Sequence, residues 1–498
     1  MVLRWWLYSV VSMVELFVST LVHMTYGLWI FASAIVLDLA GFISEEHRKS
    51  SSKVMPFLSS ALSPMSGSLV DLAEDDPERH MLHTAATAFM DSDVKTPIVM
   101  LHGIFGFGKG KLGKLSYWGG AEQKDDRVLV PDLGSLTSIH DRACALFYYL
   151  KGGTVHYGDA HGKEFGHAPI GRTYYEGHYP EWDEHHPVHF VGHSTGVQVA
   201  RLLQQLLAEK KFPGHENTNE NWVISITSLS GALNGTTRVH MDGISEDGRT
   251  LRSVCLLQIL RIAVLIYEWI DFGLFNKYYG FGFEHYNLSW RKAGLMGLIS
   301  TLSGQTGPFA HSDWILPDLS IHSAIEFNKR VKTFPNTYYF SYGAKITRKT
   351  FGFTLPFSLF RVHPLLLIRS IQMCLFRFST PPYEGYRDED WKDNDGALNT
   401  KSQLFPCIPT PHPHQEMESD ELQVGQTFQP GIWYYRVIEG DHIHFIINKD
   451  RAGVQFDMLY DNIFRRCRKH YQRPSVLKII GTACQCVGDC ICNHCGKQ

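Results

Sequence analysis

The chain carries no long block of charge of either sign. Its 47 Lys and Arg stand against 50 Asp and Glu over 498 residues, a formal net charge of -3. No basic run stands out, which argues against nucleic acid as a partner. Ten cysteines show no evenly spaced framework, which argues against a disulfide-stapled scaffold. No internal repeat is found, so a repeat architecture falls away. Charge is scarcest near the start. From Trp5 to Leu37 the only formally charged side chain is Glu15, and Leu16 to Leu37 has none. About 20 apolar residues span a bilayer, so residues 1–45 are expected to anchor the chain in a membrane. The competing readings are a cleaved secretory signal near Ala32-Ser33-Ala34, a hairpin in one leaflet bent near Gly27, and a buried helix. Arg4 on one side and Arg48, Lys49 and Lys53 on the other leave the orientation open.

What the chain does have is apolar surface. The apolar fraction is 44% and the aromatic fraction 13%, enough for a large core with apolar area left over. A chain this long can hold several domains or a single large one. Residues 46–96 begin with a serine-rich stretch (Ser50, Ser51, Ser52, Ser59, Ser60, Ser63, Ser66, Ser68) and read as linker and approach.

Gly192-His193-Ser194-Thr195-Gly196 is the most informative segment. It follows the apolar run Val188-His189-Phe190-Val191 and precedes Val197 to Leu203, whose apolar residues fit a helix. Strand, G-x-S-x-G and helix together form a nucleophile elbow, in which two glycines make room for a sharp turn that exposes the serine hydroxyl. The helix start behind the serine offers free N–H groups and partial positive charge to an oxyanion. Upstream, Pro97 to Gly106 reads as a buried strand ending in His102-Gly103. The N–H groups of Ile104 and Thr195 are thereby expected to form an oxyanion hole. An acid and a histidine should follow the serine in that order. Asp395 lies in the polar turn Trp391 to Gly396, and His442 follows the strand-like run Trp433 to Ile438. Spacing favours His442 over His444 but does not by itself choose among 26 histidines.

From about Pro97 to Arg468 many short segments resemble, in order, the thermoalkalophilic and staphylococcal bacterial lipases and their plant lipase-like relatives. Among them are Tyr117-Trp118-Gly119-Gly120, Asp141-Arg142-Ala143-Cys144, Gly171-Arg172-Thr173-Tyr174, Asn394-Asp395-Gly396 and Asp441-His442. The resemblance implies an α/β-hydrolase fold, a mostly parallel central sheet flanked by helices with a helical lid inserted, over residues 97–470. It implies a Ser194, Asp395, His442 triad and hydrolysis of acylglycerol-type carboxylic esters through an acyl-enzyme. Phospholipid or galactolipid acyl hydrolysis, acyl transfer and non-catalytic lipid binding are the alternatives. The expected lid is the apolar segment around 250–300, where Arg261, Glu268 and Asp271 interrupt Val254 to Tyr267 and its continuation. A buried helix or a second membrane span competes with that reading. Phe351 to Phe378 is a second apolar stretch that could extend a lipid-facing rim.

The same resemblance places Asp141, His161 and His167 at zinc-ligand positions. The family's fourth ligand, an aspartate, aligns with Ser289, so the site lacks a good ligand unless Glu284 or His285 substitutes. Calcium is not expected, because His444 stands where the family has a glutamate and imidazole is a poor ligand for a hard cation. Asn234-Gly235-Thr236 and Asn287-Leu288-Ser289 are glycosylation sequons. A glycan at Asn234 would crowd the expected site. With the lack of a disulfide pattern, this favours a cytosolic face of the endoplasmic reticulum or a lipid droplet over secretion. The tail 471–498 contains Cys484, Cys486, Cys490, Cys492 and Cys495. It reads as a reduced disordered or S-acylated tail rather than a zinc site, because C-x-C is not the usual zinc spacing.

Overall fold

Short apolar runs become strands where they can be covered on both faces, which is the environment of a parallel sheet. In a computed structural model, residues 96–469 are described except 113–114, 272–278, 358–361, 419–427 and 447–448. The expected anchor, the linker to residue 95 and the cysteine tail lie outside the described residues. Among the described residues there are eleven strands: β1 (Ile98–Leu101), β2 (Val128–Leu129), β3 (Gly153–His156), β4 (Ile170–Tyr174), β5 (Val188–His193), β6 (Val223–Leu229), β7 (Tyr338–Lys345), β8 (Thr347–Thr350), β9 (Phe353–Pro356), β10 (His414–Glu416) and β11 (Trp433–Glu439). Seven form one sheet in the order β10-β11-β7-β6-β5-β1-β2, with every neighbouring pair parallel. β3–β4 and β8–β9 are separate antiparallel pairs.

Strand alternation divides the core in two. Val99 and Leu101 face a cluster with Phe190, Ile226 and Trp433, while Ile98 and Met100 face another with Val191, Phe340 and Tyr434. Helices α1 (Ile139–Lys151) and α2 (Gly196–Ala208) cover the first side, and α5 (Lys449–Lys469) contributes Phe456, Tyr460 and Phe464 to the second. Because all seven strands run one way, their C-terminal ends share one edge. Leu101 pairs with Gly192, Gly192 with Ser228, and Leu229 with Tyr342. Loops leaving that edge are where an open α/β sheet presents its chemistry.

Between β6 and β7 the apolar segment forms α3 (Leu256–Ile270) and α4 (Trp290–Leu302). Leu257, Val264 and Leu265 of α3 join the main core, while Ile259, Ile262 and Ile266 are exposed. Leu295, Met296 and Ile299 of α4 are exposed as well. Arg261 holds the pair together by donating to the carbonyls of Thr301 (2.8 Å) and Leu302 (2.7 Å) at the end of α4, where a cation is favoured. At 15 residues α3 is too short for a membrane span, and no described helix is long and apolar enough to cross one. Asn234 is buried and its amide is spent on the carbonyl of Phe405 (2.8 Å), so the first sequon is closed to glycosylation in the folded chain.

Candidate active site

The elbow is tight enough to demand both glycines. A Cβ on Gly192 would lie 2.4 Å from the Val197 nitrogen, and one on Gly196 would lie 2.1 Å from the Leu101 carbonyl oxygen. Ser194 itself adopts φ +56°, a left-handed conformation that is unfavourable for a side chain bearing a Cβ. The turn lifts the serine off the end of β5, and α2 begins two residues later.

His442 lies on the loop after β11. Its Nε2 is 3.0 Å from Ser194 Oγ and its Nδ1 is 2.7 Å from Asp395 Oδ2. A carboxylate only accepts, so Nδ1 carries the proton and the Nε2 lone pair faces the serine hydroxyl. Asp395 is fully buried, and its charge is held by four donors. Oδ1 accepts from the N–H groups of Ala397 (2.9 Å) and Leu398 (2.7 Å), and Oδ2 accepts from Gln403 Nε2 (3.1 Å) besides His442. The Asp395 carbonyl also accepts the His442 N–H at 3.0 Å, which ties the two loops together at the backbone.

Ile104 and Thr195 flank the serine from the other side. Neither N–H has a hydrogen-bond partner among the described residues, and both peptides are oriented by their carbonyls. The Gly103 carbonyl accepts from His102 Nδ1 (2.9 Å) and the Gly106 N–H (3.2 Å), so the Ile104 N–H of that same peptide points away from them. The Ser194 carbonyl accepts from the Ala232 N–H at 3.2 Å, which directs the Thr195 N–H likewise. The Leu133 N–H donates to His102 Nε2 (3.2 Å), leaving Nδ1 as the donor. Burial, then the nearby Arg142 cation, lower the His102 pKa to about 3, so its imidazole is neutral.

Sequence reasoning assigned no role to His193 or Tyr117, although both lie in segments it singled out. The Gly103 N–H donates to the Tyr117 hydroxyl at 3.0 Å, and that hydroxyl lies 2.7 Å from His193 Nδ1. His193 Nε2 lies 2.9 Å from the His442 carbonyl. A carbonyl only accepts, so Nε2 carries the proton and Tyr117 donates to Nδ1. The Tyr117 hydroxyl and both His193 ring nitrogens are thus satisfied, and together they join the Gly103 loop to the His442 loop.

Asp141, His161 and His167 also come together, on α1, on a short helix Asp159–Phe165 and just beyond it. The fourth member is Asp313, not Ser289; all four offer ligand atoms within 4.8 Å of one another. Ser289 instead stands at the start of α4. Asp313 follows the cap, far along the chain from Asp141, His161 and His167, so local spacing does not mark it. His161 Nε2 is 3.3 Å from both Asp141 Oδ1 and Asp313 Oδ1, and His167 Nε2 is 3.4 Å from Asp313 Oδ2. A tetrahedron of zinc bonds near 2.0–2.1 Å has edges of about 3.3–3.4 Å. Asp141 Oδ1, His161 Nε2 and His167 Nε2 are buried and make no hydrogen bond. His167 Nδ1 donates to the Ala168 carbonyl (2.8 Å), leaving the Nε2 lone pair to point inward. His285 approaches the outer oxygen of Asp141 at 3.0 Å, and Glu284 is exposed. The donor set therefore fits zinc.

A parallel sheet covered on both faces, with a strand–elbow–helix on its C-terminal edge, is the α/β-hydrolase fold. More narrowly, the chain belongs to the family described as lipase-like, C-terminal domain, which matches residues 94–457. It is 27% identical to the lipase of Staphylococcus hyicus over 380 residues, 71% of this chain and 54% of that protein. It is 28% identical to Lipase 2 of Staphylococcus aureus (strain MRSA252) over 402 residues, 74% of this chain and 53% of the relative. The chain thus spans about half the length of these curated relatives. The crystal structure of Staphylococcus hyicus lipase superposes with a TM-score of 0.61 at 25% identity, covering 76% of this chain and 96% of that one. Lipase 1 from Pelosinus fermentans gives 0.55 at 27% identity, covering 76% and 100%.

Proposed function

We propose that this protein is a serine carboxylic ester hydrolase acting on acylglycerol-type lipids at a membrane or lipid-droplet surface. The observation that carries the reading is the unbroken relay from Ser194 Oγ through His442 to buried Asp395. His442 takes the serine proton as the hydroxyl attacks an ester carbonyl, and Asp395 stabilises the imidazolium that forms. The N–H groups of Ile104 and Thr195 hold the tetrahedral oxyanion. His442 then protonates the departing alcohol, and water repeats the cycle on the acyl-enzyme. Phospholipid, galactolipid and acyl-acceptor chemistries would use the same relay.

A lipid substrate is supported by the outer surface as much as by the relatives. The α3–α4 cap has one face in the core and one exposed apolar face, as a lid that meets lipid requires. The β8–β9 hairpin turns through Phe351 and Gly352, both at positive φ, and Phe351 is 98% exposed with Phe353 at 69%. A bulky aromatic held in a left-handed turn in open solvent is unfavourable unless something apolar receives it. The hairpin base is fastened to the acid loop, since Thr347 Oγ1 donates to Asp393 (2.7 Å) and the Ile346 N–H to the Asn394 carbonyl (3.0 Å). Its aromatic tip therefore rides on the Asp395 side of the site. Buried Asn234 and five free cysteines among the described residues fit a catalytic unit on the cytosolic face. Zinc would be held by Asp141, His161, His167 and Asp313, where it would supply a cross-link between α1 and the segment after the cap. Fluorophosphonate labelling of the purified protein, with Ser194→Ala as control, tests the hydrolase reading. Equal labelling of both proteins would overturn it, and lipid profiling of the active protein then identifies the ester class.

A further inference from the structure

Arg142 follows Asp141 on α1 and is fully buried, yet no carboxylate among the described residues lies within 4 Å of its guanidinium. Nη1 donates to Thr195 Oγ1 at 2.8 Å, Nη2 donates to the His102 carbonyl, and Nε makes no hydrogen bond. Asp132 attracts the guanidinium only from beyond ion-pair distance; a buried cation with no carboxylate in contact is destabilising, and an apolar residue of similar volume is often neutral or better. Stability alone gives no reason for a guanidinium here. Its contacts supply one, because they fall on the two chain segments that flank the serine.

The His102 carbonyl and the Gly103 N–H belong to one peptide, held on its oxygen by Arg142 and on its nitrogen by the Tyr117 hydroxyl. The next peptide presents the open Ile104 N–H. On the opposite segment, Arg142 holds the side chain of Thr195, whose own N–H is the second open donor. We propose that Arg142 is a positioning residue of the oxyanion hole, a single buried guanidinium that sets the spacing of the Ile104 and Thr195 donors. It also places fixed positive charge behind the pocket. Charge arranged before the reaction, in a site sealed from water, stabilises a developing oxyanion without reorganising. The proposal rests on the hydrolase reading above.

The test compares the full chain with Arg142→Met and Arg142→Lys on a short soluble ester, with thermal midpoint, zinc content and affinity for an alkyl boronate measured alongside. Arg142→Met is expected to lose about 10–100-fold in kcat, less than the ~100–1,000-fold for losing a direct oxyanion donor. KM should change little, and boronate affinity should fall in step with kcat/KM, since both report binding of the tetrahedral state. The midpoint should hold or rise, and Arg142→Lys should recover part of the rate. Unchanged kcat in folded Arg142→Met would overturn the proposal. So would a rate loss accompanied by a lower midpoint or lost zinc with boronate affinity intact. If wild-type protein is not labelled at Ser194, the hydrolase reading fails and this role with it. A labelled wild type beside an unaffected Arg142→Met removes the Arg142 role alone.

Discussion

His193, the residue before Ser194, reaches across to the loop of His442 and donates from Nε2 to its carbonyl at 2.9 Å. Through Tyr117 the same imidazole also supports the Gly103 loop. The base and the oxyanion donors are thus referenced to one ring. Burial first, and then the neighbouring His442, hold the His193 pKa well below its ordinary value, so the ring stays neutral and this pattern of donors persists.

Tyr117→Phe and His193→Gln should each slow turnover of a soluble ester by several-fold, given about 1 kcal/mol for one buried hydrogen bond. Because both act on one chain of contacts, the double variant should be well short of the product of the two. Fully multiplicative losses in kcat would show that the two residues act separately.

Asp395→Asn should leave the fold intact and lower kcat by about 10⁴-fold, because an amide can present its N–H to Nδ1 and impose the wrong tautomer on His442. Gln403→Ala removes one of the four donors on Asp395. Its effect should be far smaller, about tenfold or less, as for loss of one hydrogen bond. Circular dichroism alongside kcat separates chemistry from folding in both variants.

Chelation should lower the thermal midpoint before it lowers turnover, because Asp141, His161, His167 and Asp313 include no member of the relay. Asp313→Ala should reduce zinc stoichiometry as strongly as His161→Ala. Metal analysis of protein purified without added zinc checks this, and a value near zero for the parent chain would leave the four residues as a polar cluster.

Phe351→Ser combined with Phe353→Ser should weaken binding to lipid vesicles and slow hydrolysis of an emulsion while sparing a soluble ester. Deleting residues 1–45 should release the protein from membranes in the same assay. Vesicle sedimentation of the two variants apportions attachment between the hairpin and the leading segment.

Burial raises the carboxyl pKa of Glu268, on α3, to about 8, with Glu284 and Asp271 adding to the shift. A carboxyl with a raised folded pKa binds a proton that the unfolded chain has already released. Its contribution is therefore complete below the unfolded value of about 4.3 and is lost as pH rises through about 8. The cap should loosen in mild alkali. Hydrogen exchange over 256–270 at about pH 6 and pH 9 measures this, and Glu268→Gln should flatten the difference.

Local rules were sufficient for the elbow and for β1, β5 and β11. An apolar run, a glycine pair and a serine constrain only residues a few positions apart, and the backbone there has few alternatives. The roles of Tyr117, Arg142, His193 and Gln403 depended on contacts across tens to hundreds of residues, which no spacing reveals. Asp313 was missed for the same reason: the whole cap separates it in sequence from Asp141, His161 and His167. The cap's apolar composition was plain in the chain, but only packing decided that Val264 and Leu265 face inward while Ile262 and Ile266 face out. A segment apolar nearly all round has no preferred face until the rest of the core supplies one. Sequence alone therefore determined the elbow and the core strands, where burial and turn sterics act locally. Tertiary structure decided which buried polar groups meet, because each needs a partner that only the folded chain brings within 3 Å.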